Sequence, residues 1–346
     1  MSTQPLHDAL VALLAGEDLA EAQAAAALDV IMRGEATPAQ TAGLLVALRA
    51  KGETPAEIAG CARTLREHAV VVQPARADLV DTAGTGGDHT GSVNISNAAA
   101  LVAAAAGAGV AKHGNRAISS KSGSADVLEA LGIPVELPHP AVARMIDELG
   151  FGFLYAPSHH PAMRHAGPIR RELGVPTIMN LLGPLANPVQ TPFQIIGVSR
   201  PDLVPVMGEV MRLLGITRAL IVHGEGGFDE ISPSGPALIA DVTQDGIEEV
   251  VLDPADLGVP RARPEDLAGG SAEENAAIIR RVLAGEAGPV RDAIELNAAA
   301  ALAVCGRAAG IGEGLEQARV AIDTGRASAT LERVGEAARA AAEEAD

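Results

Sequence analysis

The chain of 346 residues is 48% apolar and 20% charged, enough apolar mass for a packed core and too apolar for a disordered polypeptide. Its net charge of −18 argues against general binding to phosphate backbones, because long-range repulsion opposes the approach. Aromatic residues make up 1%, with no Trp, so the core has to be Ala, Leu, Val and Ile, and the alanine excess favours helix.

Residues 5–70 read as helices alone. "DLAEAQAAAALDVIMRGE" has apolar residues at helical spacing, with Asp18 expected as its cap and Gly34 as its stop. Thr37 and Thr54 each precede a proline, Pro38 and Pro55, at a first helical turn. Glu57 stands three residues after Thr54, completing a capping box. "VQPARA" at 72–77 reads as a linker. From residue 79 strands and helices alternate: "LVDTAGTGG", "GVAKHGN", "GFLYAP", "QIIGVS", "RALIVHG" and "PALIADV" as strands, with helices at "NISNAAALVAAAAG", "SADVLEALG" and 201–214, and a helical end over 272–343. The fold expected is α/β: a small N-terminal all-helical domain (1–73) and a larger α/β domain (74–346) with a mostly parallel central sheet covered by helices. The start, "MSTQPLHDAL", has neither the basic nor the apolar region of an export signal, and the longest apolar run, residues 98–111, is shorter than the ~18 residues that cross a bilayer. A cytoplasmic protein without membrane contact is expected. Cys61 and Cys305 stand in no metal or redox spacing and are expected as reduced core thiols.

Three clusters follow strands. "DTAGTGGDHTGSVNIS" (81–96) carries glycines at 84, 86, 87 and 91 and a helix start near Asn94, a geometry suited to an anion at a strand's carboxyl end. It matches neither G-x-G-x-x-G nor G-x-x-x-x-G-K-[ST], and a plain strand-to-helix turn is the bland alternative. "KHGNRAISSKSGS" (112–124) brings Lys112, Arg116 and Lys121 together with four serines, an anion-binding composition or a solvated basic turn. One strand–helix–strand unit separates these loops, so a parallel sheet puts both on one edge. "GEGGFDEIS" (224–232) offers adjacent Asp229 and Glu230, either solvated turn acids or carboxylates for Mg²⁺. The histidines in "HHPAMRH" (159–165) lack the i, i+4 spacing of a helical zinc pair; Arg164, Arg170 and Arg171 beside them read as a solvated face or a carboxylate clamp. With no G-x-S-x-G, metalloprotease motif or catalytic cysteine setting, no enzyme nucleophile is expected.

"DTAGTGGD", "VAKHGNRAISSKSGSADVLEALG", "LLGPLANP" and "GFDEIS", with "IMRGEATPAQTAGLLVALRAKGETPAEIAG" and "HHPAMRHAGPIRRELG", make residues 5–340 resemble the anthranilate phosphoribosyltransferase family. The resemblance implies transfer of a 5-phosphoribosyl group from 5-phosphoribosyl 1-diphosphate to the amine of anthranilate, in tryptophan biosynthesis, assisted by two Mg²⁺ per subunit. It assigns the donor to Gly84, Gly87, Asp88, Ser92, Asn94, Ile95, Ser96 and Asn97. It adds Lys112, His113, Gly114, Asn115, Arg116, Ala117, Ile118, Ser119, Ser120 and Ser124, with Lys112 as electrostatic support. Anthranilate falls to Gly84, Asn115 and Arg170, and the metal to Ser96, Asp229 and Glu230. A homodimer through the helical domain is implied, with a segment near 175–187 against that domain. Asn97, where the family usually has Thr, and Pro176, where Arg is usual, depart from the pattern. The alternatives are a pyrimidine-nucleoside phosphorylase of the same architecture and a non-catalytic relative that binds nucleic acid.

Overall fold

A computed structural model describes residues 3–88, 90–117 and 121–345. Four helices come first: α1 (Gln4–Leu14), α2 (Glu21–Met32), α3 (Pro38–Lys51) and α4 (Pro55–Glu67). Thr37 accepts from the Gln40 amide at 3.3 Å and Thr54 from the Glu57 amide at 3.3 Å, so both expected caps form. The Glu57 carboxylate returns the bond to the Thr54 amide at 2.8 Å. Asp18 does not cap α2. It pairs with Lys51 at 2.6 Å, and α2 opens at Ala20, whose N–H is taken by the Gln23 side chain at 2.9 Å. A nearby cation outbid the helix end for that carboxylate. Helices α2 and α4 cross closely because residue 60 is glycine; a Cβ there would sit 2.2 Å from the Glu21 carbonyl.

The remaining elements are β1 (Leu79–Gly84), α5 (Ile95–Ala105), β2 (Gly109–Gly114), α6 (Ser124–Ala130), α7 (His139–Leu149), β3 (Phe151–Tyr155), α8 (Ala156–His159), α9 (Gly167–Leu173), α10 (Ile178–Leu182), β4 (Phe193–Gly197), α11 (Leu203–Leu214), β5 (Arg218–Gly224), β6 (Ala237–Thr243), β7 (Ile247–Leu252), α12 (Ala272–Leu283), α13 (Pro289–Val304), α14 (Ile311–Asp323) and α15 (Arg326–Glu343). They build one sheet in the order β3-β2-β1-β4-β5-β6-β7. The first five strands run parallel; β6 and β7 are antiparallel. Side chains alternate between faces with period two. Ile195, Leu220 and Val222 face a core built with α5, α13, α14 and α15, while Ile196, Ala219 and Ile221 share a core with α11 and the N-terminal helices. The alanine-rich α5 and α13 are buried along almost their whole length, and small side chains let them pack closely over the sheet. Ile178, Met179 and Leu182 of α10 join the core of the N-terminal helices. Among the described residues no helix is long and apolar enough to cross a membrane.

Strand β1 has β2 on one side and β4 on the other. The chain therefore leaves β1 toward β2 and later returns to pair with β1's opposite edge. This is a topological switch point, and a crevice opens there beyond the carboxyl ends of the strands.

Candidate active site

The loops after β1, β2 and β5 all leave the same sheet edge, because these strands are parallel. A small cavity of about 60 Å³ at the switch point is lined by Thr82, Gly84, Ser96, Gly197, Asp229 and Glu230, among others. The sequence's first and third clusters thus meet, 145 residues apart between Gly84 and Asp229. Gly84 is required by the approach itself. A Cβ on it would lie 2.3 Å from the Asp229 Oδ2 atom. Gly197 is needed for the same reason on β4, where a Cβ would fall 1.7 Å from the Asp229 carbonyl oxygen. Gly86 and Gly87 follow with φ of +65° and +77°, a left-handed pair that glycine adopts without strain. The Gly86 N–H is already committed to the Asp229 carboxylate.

Asp229 and Glu230 keep some solvent contact through the crevice and are crowded on their other sides. Burial first, and then the charge of Asp88, push the Asp229 carboxyl up to about 7; burial, and then the charges of Asp229 and Asp88, push Glu230 well above its ordinary range. Glu230 accepts the Ser96 N–H at 2.9 Å, so its charge sits on the N-terminus of α5. Asn297, on α13, clamps the segment from behind: its Oδ1 accepts the Ile231 N–H at 3.1 Å and its Nδ2 donates to the Ile231 carbonyl at 2.7 Å. Two buried carboxyls pushed upward, with the Asp88 charge close to both, fit a divalent cation that would relieve the repulsion. Among the described residues no three His, Cys, Asp or Glu side chains converge closely enough to enclose an ion alone. That suits Mg²⁺, which takes one or two carboxylates and completes its shell with water and phosphate oxygens.

Lys112, on β2, is 1% exposed. Its Nζ donates to the Thr82 carbonyl and, at 3.3 Å each, to the Thr82 and Ser96 hydroxyls. Burial lowers its pKa, while Asp81, Glu230 and Asp229 oppose that shift. Asp81, fully buried on β1, is raised to about 6 by burial, against the pull of Lys112 and of the Asn187 and His113 hydrogen bonds. It accepts the His113 N–H at 3.1 Å and the Asn187 amide at 2.8 Å. Asn187 lies in "LLGPLANP" and also donates to the Ala111 carbonyl at 2.8 Å, which fixes β2 against β1 just before Lys112. His113 is held neutral, its pKa lowered to about 3 by burial and by His160. Its Nδ1 meets the Gly183 carbonyl at 3.2 Å, and its Nε2 is buried without a partner.

The other sequence-predicted residues divide. Ser92 lies in the loop after β1, in an isolated bridge to Ala268, and Asp88 accepts the Thr90 hydroxyl at 2.5 Å. Ile95 is buried at the start of α5. Asn97 is fully buried, its Nδ2 donating to the Ser124 carbonyl at 3.0 Å and its Oδ1 left without a partner. It ties α5 to α6 by an amide. Asn115 accepts the Arg116 N–H at 2.8 Å, and Asp126 gathers the Ala117 and Gly123 N–H groups at 2.9 and 2.8 Å, closing the basic loop onto α6. Gly114 permits this closure, since a Cβ would crowd Phe153 at 2.8 Å. The Arg116 guanidinium is paired with Glu129 and with the Tyr155 hydroxyl rather than left free for a ligand. Ile118, Ser119 and Ser120 lie outside the described residues. Gly87 is exposed, at the outer turn of the loop. Arg170, on α9, is half-buried; burial lowers its pKa, and among the described residues no carboxylate faces it. Pro176 is exposed beside Thr177, where α10 begins.

Sequence reasoning missed Thr82, Asn187, Gly197 and Asn297. Thr82 and Asn187 lay inside the motifs "DTAGTGGD" and "LLGPLANP" without a role of their own, and Asn297 stood out as a lone amide within the apolar "LNAAAALAV". A larger open cleft of about 800 Å³ between α6 and α12, lined by Lys121, Asp126, Glu129, Ser271, Glu273 and Arg280 among others, shares no residue with the carboxylate crevice.

A helical unit in front of an α/β domain, with carboxylates, a buried lysine and a glycine loop at one switch point, is the architecture of a glycosyl-transferring enzyme. The glycosyl transferase family's helical bundle domain matches residues 7–69, and its a/b domain matches residues 76–328. The chain is 50% identical to the anthranilate phosphoribosyltransferase of Herpetosiphon aurantiacus, over 96% of this chain and 98% of that one. It superposes with a TM-score of 0.91 on the anthranilate phosphoribosyltransferase of Thermus thermophilus, at 47% identity, covering 96% of this chain and 99% of the other. The Saccharomyces cerevisiae enzyme in complex with PRPP and Mg gives a TM-score of 0.89 at 28% identity, covering 98% and 99%. The chain belongs to the anthranilate phosphoribosyltransferase family of glycosyl transferases.

Proposed function

We propose that this chain transfers the 5-phosphoribosyl group of 5-phosphoribosyl 1-diphosphate to the amine of anthranilate, releasing diphosphate, as a step of tryptophan biosynthesis. The observation that carries the reading is the convergence of Asp229, Glu230 and Ser96 on one crevice at the switch point, with the buried Lys112 bonded to the Ser96 hydroxyl beside it. The donor lies along the 84–97 loop and the 112–124 loop, its diphosphate toward the glycine turn. Asp229, Glu230 and Ser96 hold Mg²⁺, two ions per subunit in all. When bound, Mg²⁺ supplies positive charge to the leaving diphosphate.

The C1–oxygen bond breaks with oxocarbenium character at the ribose, and its electron pair leaves on the diphosphate. Lys112, held in place by Thr82 and Ser96, offsets the charge that grows there. The arylamine of anthranilate is neutral near pH 7, so its lone pair attacks C1 without a strong base, and the nitrogen then sheds one proton to solvent or to the released diphosphate. Arg170 takes the anthranilate carboxylate; the absence of a carboxylate partner among the described residues supports that role. Asn115 and Gly84 complete the acceptor side. Holding amine and C1 in line supplies much of the rate, since well-oriented pairs gain roughly 7–11 kcal/mol.

We draw the boundary between helical and α/β domains at residues 73 and 74. The protein acts as a cytoplasmic homodimer through its helical domain; exposed Val11 and Leu14 on α1 and Val46 on α3, and two free buried thiols, support these readings. The test is the double substitution Asp229→Asn with Glu230→Gln. It keeps the shape and removes the charge, so diphosphate release should vanish while the circular dichroism spectrum stays native. Release at the wild-type rate would remove the metal assignment.

A further inference from the structure

Asn94 stands at the N-cap of α5 but does not cap it. An N-cap asparagine ordinarily turns its side-chain oxygen onto the first free N–H groups of its helix. Here the Ser96 N–H goes to Glu230 instead, and the Asn94 Oδ1 points elsewhere. It accepts from the Asn275 Nδ2 at 2.8 Å and from the Ser122 hydroxyl at 3.2 Å.

The orientation of this group follows from one unambiguous donor. The Gly270 main-chain N–H lies 2.7 Å from the Asn275 side chain, so the atom facing it is the carbonyl Oδ1. Asn275 must then present Nδ2 on its other side. Both of that group's hydrogens are used, toward Asn94 and toward the Ser122 hydroxyl at 2.9 Å. Asn94 in turn has to meet Nδ2 with its oxygen. Its own N–H₂ is left without a protein partner among the described residues. Asn275 is 2% exposed, so the arrangement is sheltered from competing water.

The brace extends into the main chain. Leu267–Gly269 run beside Gly91–Val93, with the Val93 N–H on the Leu267 carbonyl at 2.9 Å and the Gly269 N–H on the Gly91 carbonyl at 2.8 Å. Residue 269 has to be glycine: a Cβ would lie 2.6 Å from the Asn275 Oδ1 and 2.8 Å from the Val93 backbone. Asn275 thus touches three segments at once: the loop after β1, the basic loop through Ser122, and the approach to α12.

We propose that Asn275 is a positioning residue that sets Asn94 as a hydrogen-bond donor, not an acceptor, toward the phosphoribosyl donor, and locks the two donor loops in register. The inference rests on the proposed function, because it needs Asn94 to touch that donor. It predicts that oxygen-rich groups of the donor, phosphate above all, meet the Asn94 amide.

Substituting Asn275→Asp keeps the acceptor for Gly270 and replaces the Nδ2 donor by an oxygen. Asn94 must then turn its N–H₂ toward residue 275 and its oxygen toward the ligand. Asn275→Ala removes the restraint without adding charge. Both variants should weaken binding of 5-phosphoribosyl 1-diphosphate with Mg²⁺, measured by calorimetry, by roughly ten- to a hundredfold, the range for a lost bond to a charged group. The KM for the donor should rise alike, while the KM for anthranilate stays near the wild-type value. Asn94→Asp, which keeps both accepted bonds and swaps the free N–H₂ for oxygen, should reproduce the defect; it serves if the Asn275 variants fail to fold. Variants that bind the donor as tightly as the wild type, or that lose active fraction with both KM values unchanged, overturn the proposal. A wild-type protein that does not bind the donor overturns both this inference and the proposed function.

Discussion

The Gly84→Ala substitution probes the crevice with one carbon atom. Gly84 ends β1 in extended backbone, so alanine brings no conformational strain of its own. The new Cβ would fall 2.3 Å from the Asp229 Oδ2 and 3.1 Å from its Cγ, where unstrained contacts begin near 3.4 Å. The carboxylate has to retreat by about 1.1 Å, by rotation or by a shift of its loop. The loop has little freedom, since Gly197 and Asn297 hold it on two sides. A displacement near 1 Å at a reacting centre costs on the order of a hundredfold in rate, about 2.7 kcal/mol of transition-state stabilisation. Steady-state rates at several Mg²⁺ concentrations, followed through anthranilate emission, measure it. The expected result is a kcat/KM near one hundredth of the wild type, a higher Mg²⁺ requirement and a melting temperature within a few degrees of the wild type. Gly310→Ala, where a Cβ meets nothing within 4 Å, is the neutral control. A Gly84→Ala enzyme within about threefold of wild type at ordinary Mg²⁺ would refute the claim that the Asp229 carboxylate acts at this spot.

Arg170→Ala should raise the KM for anthranilate roughly ten- to a hundredfold and leave that for the donor nearly unchanged, as expected for a lost charge-assisted pair; equal effects on both substrates would count against a carboxylate clamp. His113 titrates at about 3 when folded, against 6.5 in a free side chain. Between those values the unfolded chain binds a proton that the folded chain excludes, so stability falls as pH drops, by up to about 1.4 kcal/mol per pH unit. His113→Asn should remove that contribution, seen as a shallower loss of urea stability from about pH 6 to pH 5 than in the wild type; equal slopes would contradict the burial argument.

Much of the site was legible because parallel strands put successive loops on one edge. "RALIVHG" coincides with β5, and "DTAGTGGD", "KHGN" and "FDE" open together at one end of the sheet. The edge of the sheet was harder. Strand β7, "IEEVVL", has two adjacent glutamates, almost no buried residue and no alternation, so its pairing with β6 leaves no sequence trace. Asp18 reads as a cap by local rules and is drawn away by Lys51, a partner 33 residues off. The supporting amides are the least readable. Asn187 reaches Asp81 across 106 positions and Asn275 reaches Asn94 across 181, and their meaning depends on loops that close only when the sheet is assembled. The resemblance named residues expected to touch the ligand; the geometry adds those that hold them.

The most direct test of the account is a single mixing experiment. Wild-type protein with anthranilate and 5-phosphoribosyl 1-diphosphate should consume anthranilate emission when Mg²⁺ is added, with one diphosphate released for each anthranilate lost. Chelation should stop the loss, and omitting the donor should prevent it. Emission that stays constant with all three components present would contradict the assignment of this crevice to phosphoribosyl transfer.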